Sequence, residues 1–171
     1  NANQYQPPKI TVLMPVYNVS KFLPKCLQTL MDQTFRDFRL IAVNDGSTDN
    51  CLEILRDFEA RYHNITVIDQ PNRGMSMARN AALALADSKY ICFVDSDDYL
   101  APTFLQELYQ AITIHDADIA CCYYYYHFVE SDSLYKYPFR TSGVFNKEEA
   151  LKKLLKDVQI QSLAWNKIYK R

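Results

Sequence analysis

Glycine is scarce in this chain, which has three glycines among 171 residues. The loops that cradle phosphate in dinucleotide-binding and NTP-binding proteins follow the patterns G-x-G-x-x-G and G-x-x-x-x-G-K-[ST]. Neither pattern occurs. The three histidines are far apart in sequence and accompany no G-x-S-x-G or H-E-x-x-H motif. The sequence therefore excludes the usual dinucleotide and P-loop folds, the serine hydrolases with a nucleophile elbow and the zinc proteases.

An excess of charge of either sign is also missing. Lysine and arginine total 19 against 20 acidic residues, so no long-range field favours nucleic acid or an anionic membrane. No apolar run approaches the roughly 20 residues that cross a bilayer, and nothing resembles a signal peptide. The five cysteines lie in apolar stretches without metal-binding spacing. We therefore expect no nucleic-acid partner, no transmembrane segment in this chain and a cytoplasmic location, with membrane attachment through other segments or partners left open.

Strand-like and helix-like segments alternate along the chain. The apolar content of 49% suffices for one compact domain over residues 1–171. Five short runs rich in β-branched or aromatic residues predict buried strands at Ile10–Met14, Phe38–Val43, Ile65–Ile68, Tyr90–Val94 and Ile119–Tyr123. The intervening segments have the apolar spacing of amphipathic helices. This alternation predicts an α/β fold with a mainly parallel sheet and helices on both faces, followed by a last helix with Asn146 as its N-cap.

Polar residues follow each of the first four predicted strands. Ligands of open parallel sheets bind outside the carboxyl ends of the strands, so these turns are expected to converge on one binding site. The four turns are Pro15-Val16-Tyr17-Asn18, Asn44-Asp45-Gly46-Ser47-Thr48-Asp49, Asn72-Arg73-Gly74 and Asp95-Ser96-Asp97-Asp98.

The fourth turn carries three carboxylates within four residues, Asp95, Asp97 and Asp98. They repel one another unless a cation or hydrogen-bond donors neutralise them. Hard oxygen ligands without a neighbouring histidine or cysteine favour Mg²⁺ or Mn²⁺, which usually also bind substrate phosphates. The turn therefore predicts a divalent cation. The alternative is a solvated turn whose aspartates cap a helix.

Residues of the other turns have both functional and structural interpretations. Asp45 is placed to accept hydrogen bonds from the edge of a base, and Gly46 to let a ligand approach the backbone. The residues Ser47–Asp49 are also typical helix caps. Arg79 suits a phosphate contact or a solvated helix face, and Tyr17 suits stacking on a flat ring or packing on the sheet.

Taken in order from about Lys9 to Leu100, these four motifs resemble those of family 2 inverting glycosyltransferases of the GT-A fold. The resemblance implies that Pro15 and Tyr17 line the nucleoside pocket, Asp45 faces the base and Asp97 binds the metal. The expected nucleotide-binding residues are Pro15, Val16, Tyr17, Asn18, Asp45, Gly46, Ser47, Gly74, Arg79, Asp95, Ser96 and Asp97, and the expected metal-site residues are Asp95 and Asp97.

The resemblance also implies a reaction. A sugar would pass from a nucleoside-diphosphate sugar, UDP-sugar favoured, to a hydroxyl of a glycan or lipid-linked acceptor with inversion, in polysaccharide or cell-surface glycan synthesis. Residues 1–100 would form the nucleotide-binding half, and residues 101–171 the start of the acceptor-side half of a domain truncated at its C-terminus. The general base would follow the segment Trp165-Asn166-Lys167 and lie beyond Arg171. We therefore expect this chain to bind nucleotide without transferring sugar.

Three other interpretations were weighed. A nucleotidyltransferase normally has a glycine-rich, basic loop after its first strand, which residues 15–20 lack. A phosphoacceptor receiver domain has acidic residues after its first and third strands, whereas the dense acidic cluster here follows the fourth. A domain that binds a nucleotide or a partner without turnover remains open.

Overall fold

The computed structural model describes residues 6–137, 142–156 and 160–171. Within these ranges strands and helices alternate through the first two thirds of the chain. The strands are β1 (Ile10–Val16), β2 (Phe38–Asp45), β3 (Ile65–Gln70), β4 (Tyr90–Phe93), β5 (Ile119–Cys121), β6 (Tyr125–Phe128), β7 (Ser133–Lys136) and β8 (Lys167–Lys170). The helices are α1 (Leu23–Met31), α2 (Cys51–Arg61), α3 (Met75–Ala84), α4 (Phe104–Ile114) and α5 (Lys147–Leu155).

Six strands form one sheet in the order β3-β2-β1-β4-β8-β5, and β6 and β7 form a separate hairpin. The pairings among β1, β2, β3 and β4 are parallel. Strand β8 runs antiparallel to both β4 and β5. The order reverses at β1, since β2 lies on one side of β1 and β4 on the other. In open sheets this reversal opens a crevice at the carboxyl ends of the two diverging strands.

Side chains of the central strands alternate between two apolar layers. Val12 and Met14 of β1 belong to the layer that contains α1, α2 and α4. Leu13 belongs to the layer on the opposite face, which contains α3. All three side chains are fully buried, as expected for strands covered on both faces. The predicted class, a mainly parallel sheet with helices on both faces, is confirmed.

The edge of the sheet differs from the sequence-based expectation. The predicted fifth strand, Ile119–Tyr123, is observed only over Ile119–Cys121. Its burial was also predicted wrongly, because Ile119 is 51% exposed. The physical reason is its position: β8 lies between β4 and β5, so β5 is an edge strand. Neither β8 nor the β6–β7 hairpin was anticipated.

The last helix, α5, begins as predicted. The Asn146 side chain accepts a hydrogen bond from the Glu149 backbone N–H, and the Glu149 carboxylate accepts one from the Asn146 N–H, which completes a capping box. None of its side chains is buried, and Leu151 and Leu155 are solvent-exposed. No helix in the described parts of the chain has the length and apolar character needed to cross a membrane.

Candidate functional site

A cleft of about 470 Å³ opens at the carboxyl ends of the parallel strands. It lies where the strand order reverses at β1. Each of the four polar turns contributes to its walls, so their expected convergence is observed. The lining residues are Pro15, Val16, Tyr17, Asp45, Asn72, Gly74, Met75, Asp95, Ser96 and Asp97.

Asp45, the last residue of β2, is 2% exposed and is held by three donors. Its Oδ1 accepts hydrogen bonds from Gln70 Nε2 at 2.7 Å and from the Arg73 N–H at 3.0 Å. Its Oδ2 accepts one from the Gly74 N–H at 2.8 Å. Burial alone raises the pKa of Asp45, but these hydrogen bonds outweigh burial and hold the pKa below its ordinary value. Asp45 thus fixes the β3–α3 loop to the end of β2.

Gly46 is required by the packing of the chain itself. Its φ is +69°, and a Cβ at this position would lie 2.5 Å from the backbone nitrogen of Asn72. The backbone that approaches Gly46 therefore belongs to the neighbouring loop. Gly74 is not required by packing, because a Cβ there meets no atom within 4 Å. Its φ of +87° is nevertheless favourable only for glycine.

Two predicted site residues brace the first two turns without lining the cleft. The Asn18 N–H donates to Ser47 Oγ at 3.1 Å. The Thr48 N–H donates to Asn18 Oδ1 at 2.7 Å. Asn18 has a φ of +51°, a conformation that asparagine tolerates better than most residues. Asn18 and Ser47 therefore hold the turns after β1 and β2 together.

Asp49 joins the second turn to two neighbouring segments. It accepts hydrogen bonds from the Ser20 N–H and from the N–H of Cys51, the first residue of α2. The helix-capping function expected for this turn is thus present at Asp49. Burial raises the pKa of Asp49, and the hydrogen bonds overcome this effect and lower the pKa to about 2.

Asp95, after β4, is paired with Arg79 of α3. The guanidinium Nη2 donates to Asp95 Oδ1 at 2.6 Å, and both side chains are mostly buried. The Phe93 ring lies 5.7 Å from the guanidinium carbon. Arg79 Nε is buried and has no hydrogen-bond partner among the described residues, and Arg79, a predicted site residue, does not line the cleft. In this arrangement Arg79 neutralises the charge of Asp95. The contact between Arg79 and a nucleotide stays a prediction.

Asp97 and Asp98 have no comparable compensation. The Asp97 side chain is exposed on the cleft wall and accepts no hydrogen bond from the described residues. Burial, with the nearby charges of Asp97 and Asp95, raises the pKa of Asp98 to about 6. Within the described ranges, no three His, Cys, Asp or Glu side chains are arranged to hold a metal ion by themselves. A cation at Asp97 would therefore have to share its coordination with ligand oxygens or water.

Two exposed side chains flank the mouth of the cleft. Tyr17 is 48% exposed and Met75 is 54% exposed, so both present apolar surface to an incoming ligand. Met75, with Asn72, was missed by the sequence-based assignment of site residues. Asn72 belongs to the turn that contains Gly74, and Met75 follows this turn as the first residue of α3. Membership of a converging turn, or a place next to one, was the signal that could have identified them.

The reversal of strand order at β1, the converging turns and the acidic cluster after β4 define the GT-A fold of glycosyltransferases. Residues 11–167 match the family described as "Glycosyl transferase family 2". The chain belongs to this family.

Three comparisons illustrate the relationship. The glycosyltransferase GlyA of Streptococcus pneumoniae serotype 4 is 37% identical over 170 residues, which is 95% of this chain and 24% of GlyA. The uncharacterized glycosyltransferase YibD of Escherichia coli K12 is 31% identical over 95% of this chain and 48% of YibD. The crystal structure of S. aureus TarS 1–349 with UDP-GlcNAc superimposes with a TM-score of 0.61 at 33% identity, covering 65% of this chain and 33% of that one. The chain thus spans between a quarter and a half of these two curated relatives.

Proposed function

We propose that this chain supplies the nucleotide-sugar-binding part of a glycosyltransferase that uses a divalent cation. The observation that carries the proposal is the difference between two carboxylates on one cleft wall. Asp95 is neutralised by Arg79, whereas Asp97 is exposed and has no hydrogen-bond partner in the described chain. Such an arrangement leaves a negative charge that a metal ion bound with a diphosphate would balance.

The residues present fit such an ion. Asp97 would be its protein ligand, and the free oxygen of Asp95 would contact the ion or its bound waters. Hard carboxylate oxygens favour Mn²⁺ or Mg²⁺ over metals that prefer nitrogen or sulfur. When bound, the ion would supply Lewis-acid stabilisation of the charge that builds on a leaving diphosphate.

The opposite side of the cleft is suited to the nucleoside. Pro15 and Tyr17 would pack against its rings, and the remaining hydrogen-bond capacity of Asp45 Oδ2 would face the base. We favour a UDP-sugar, because TarS, the related structure described above, was solved with UDP-GlcNAc. The acceptor would be a hydroxyl of a glycan or lipid-linked glycan, and the transfer would invert the anomeric configuration.

A carboxylate base is expected to deprotonate the acceptor hydroxyl, typically for a rate gain of about 10²–10⁴. We place this base outside residues 1–171, so the chain alone should bind nucleotide without useful transfer. Sugar transfer by residues 1–171 would refute this placement and direct attention to Asp98 and the loop Glu130–Asp132.

The direct test is calorimetric titration of the chain with UDP and GDP, each with Mn²⁺ and with EDTA. We expect UDP to bind more tightly in Mn²⁺ than in EDTA and more tightly than GDP. Equal affinity with and without Mn²⁺ would contradict the metal-dependent part of the proposal. Absence of binding by either nucleotide would support the alternative, a domain that binds a partner without a nucleotide.

A further inference from the structure

Helix α5 presents apolar side chains to solvent on one of its faces. Leu151 is 47% exposed and Leu155 is 85% exposed. The two leucines are four positions apart, so they lie one above the other on the helix surface. Val144, which precedes the helix, is also exposed. Apolar side chains gathered in this way are typical of an interaction surface.

The exposed apolar surface of the molecule is unevenly distributed. Sixteen large apolar side chains are exposed among the described residues, and ten of them lie between positions 123 and 155. This segment contains the hairpin β6–β7 and helix α5. The exposure of Leu151 and Leu155 is therefore part of a local concentration and not of a uniform background.

Positive charge lies beside these leucines. Residues 146–156 hold four lysines and two glutamates, a net charge of +2 in a chain whose net charge is −1. Both glutamates are in the first turn of α5. The Glu149 carboxylate accepts a hydrogen bond in the capping box, and the Glu148 carboxylate is 2.6 Å from Lys152 Nζ. Lys152 and Lys156 are each one position beyond a leucine, so they form the neighbouring row on the helix surface.

The pattern of α5 favours a lipid surface over a protein groove. A helix that binds in a groove uses apolar anchors over several turns, at i, i+3, i+4 and i+7, whereas the exposed leucines of α5 span a single turn. A helix at a bilayer interface needs an apolar face that enters the boundary between headgroups and acyl chains, with lysines beside it. The lysines are attracted to anionic headgroups over about one Debye length, roughly 10 Å, so this local attraction does not require a positive charge on the whole chain.

We propose that α5 binds an anionic lipid surface, with Leu151 and Leu155 inserted among the headgroups and with Lys152 and Lys156 facing the lipid phosphates. Placement of cations at the end of a helix also stabilises the helix dipole, which explains the lysines but not the exposed leucines. The inference goes beyond the proposed function, because lipid binding by α5 does not require a nucleotide in the cleft.

The experiment measures co-sedimentation of the chain with lipid vesicles. Vesicles of phosphatidylcholine alone are compared with vesicles of equal parts phosphatidylcholine and phosphatidylglycerol, which is anionic. The leucine variant combines Leu151→Ser with Leu155→Ser. Its matched control combines Leu85→Ser with Ile114→Ser, which removes two exposed apolar side chains from other helices or their ends.

We expect the parent chain to bind the anionic vesicles more tightly than phosphatidylcholine alone. The leucine variant should bind about tenfold more weakly, because two apolar side chains no longer leave water, and its control should bind like the parent. Lys156→Gln should weaken binding about fivefold, in line with one lysine near an anionic surface. Lys89→Gln, at an exposed position before β4, should not weaken it. Binding should also weaken as NaCl rises from about 0.1 M to about 1 M, since the Debye length falls from about 10 Å to about 3 Å.

Three results would overturn the inference: no binding to anionic vesicles, equal binding to the two kinds of vesicle, or equal losses in the leucine variant and its control. Sedimentation equilibrium without lipid tests another occupant of the same face. A dimeric parent chain with a monomeric leucine variant would assign the face to a second copy of the chain and overturn the lipid proposal.

Two further measurements keep the outcomes distinct. UDP affinity is measured in every variant and should not change, because Leu151 and Leu155 do not line the cleft. Failure of nucleotide binding is thereby distinguished from failure of the lipid-binding face. Urea unfolding shows whether each variant folds, and Lys156→Gln with its Lys89→Gln control decides the proposal if the leucine variant does not.

Discussion

The turns after β2 and β4 are both rich in aspartate, yet their carboxylates have opposite surroundings. Asp45 and Asp49 each accept hydrogen bonds from backbone N–H groups of neighbouring segments, and their pKa values are lowered. Within the described residues, Asp95 is the one carboxylate of the turn after β4 with a cationic partner, and the pKa of Asp98 is raised. The first turn is stabilised by its own chain, whereas the second leaves charge for a ligand to neutralise.

The comparison shows that acidic composition alone does not identify carboxylates that are free to bind a ligand. Both turns are acidic and polar in sequence, and each follows a strand of the same parallel sheet. The two turns differ in their hydrogen-bond donors. Backbone N–H groups donate to Asp45 and Asp49, whereas no donor among the described residues contacts Asp97. Substitutions in the two turns should therefore have different consequences, mainly on folding in the first and mainly on ligand binding in the second.

The largest effect is expected for Asp97→Ala. Removal of this carboxylate should abolish the Mn²⁺-dependent part of UDP affinity, a loss of about 100-fold or more, because a metal ligand and the charge balance of the site disappear together. The free energy of unfolding should stay within about 0.5 kcal/mol of the parent, since Asp97 is exposed. Calorimetry with and without Mn²⁺ measures the first quantity and urea unfolding the second. Glu53→Ala, which removes an exposed carboxylate elsewhere, serves as the control. Unchanged Mn²⁺-dependent UDP affinity in Asp97→Ala would refute the metal assignment.

The next effect concerns Gly46 and Gly74, the glycines of the turns after β2 and β3. Gly46→Ala and Gly74→Ala should each lower the free energy of unfolding by about 1–3 kcal/mol through backbone strain at positive φ. In Gly46→Ala the free energy of unfolding should fall by about a further 1–3 kcal/mol compared with Gly74→Ala. The reason is that a Cβ at position 46 meets the Asn72 backbone, whereas a Cβ at position 74 meets no atom. Urea unfolding of the pair measures the difference. Equal losses of unfolding free energy in the two variants would show that the loop around Asn72 shifts to accommodate the Cβ without a cost in stability.

Asp45→Asn tests whether the turn after β2 is structural, nucleotide-binding or both. An amide cannot accept all three hydrogen bonds as a carboxylate does, so the free energy of unfolding should fall by about 1.5–3 kcal/mol. The exposed Asp57→Asn should change it by less than about 0.5 kcal/mol. If Asp45 also faces the base, UDP affinity falls while pyrophosphate affinity does not. Equal losses for the two ligands would argue against a base contact.

The smallest effect is in the pH dependence of stability, on the order of 1 kcal/mol for each group. Because the pKa of Asp49 is lowered to about 2 from 3.8, its stabilisation is present above about pH 4 and is lost as the pH falls toward 2. The pKa of Asp98 is raised to about 6, so its charged form destabilises the fold above pH 6 and the penalty fades as the pH falls toward 4.

Thermal unfolding in EDTA separates the two groups. Asp98→Asn should be more stable than the parent at pH 7.5 and similar to it at pH 4.5. Asp49→Asn should be less stable than the parent at both pH values, with the difference narrowing below pH 4. The reverse pattern in either variant would contradict the assigned surroundings of that carboxylate.

Sequence periodicity predicted the parallel half of the fold because each of its strands is rich in β-branched and other apolar residues and lies next to an amphipathic helix. It also predicted that four turns meet, since the carboxyl ends of parallel strands share one edge. Strand β8 was missed because Lys167–Lys170 has no such run, and its position depends on pairing with the distant segment Tyr90–Cys92. The hairpin β6–β7 was missed because its side chains are mostly exposed and show no apolar alternation.

In the site, residue type indicated which positions matter but not what they contact. The patterns around Asp45 and Asp97 look alike in sequence, and the donors that distinguish them come from a loop some 28 residues away. Likewise, Gly46 was predicted to let a ligand approach the backbone, but the backbone that approaches it is that of Asn72, which is visible only once β2 and β3 are paired.

The pairing of β5 with β8 has an evolutionary consequence. The segment 122–166 leaves the sheet at β5 and returns beside it at β8. Its two ends are joined where the Cys122 N–H donates to the Asn166 carbonyl at 3.0 Å and the Asn166 side-chain amide donates to the Cys122 carbonyl at 3.3 Å. Because these hydrogen bonds close the excursion at its base, residues added in its exposed turn between β6 and β7 would cost little, since doubling a flexible loop costs only about 0.6 kcal/mol. The hairpin that carries Tyr126 and His127 can therefore change in length without disturbing β2 and β4, the strands that precede the two aspartate-rich turns.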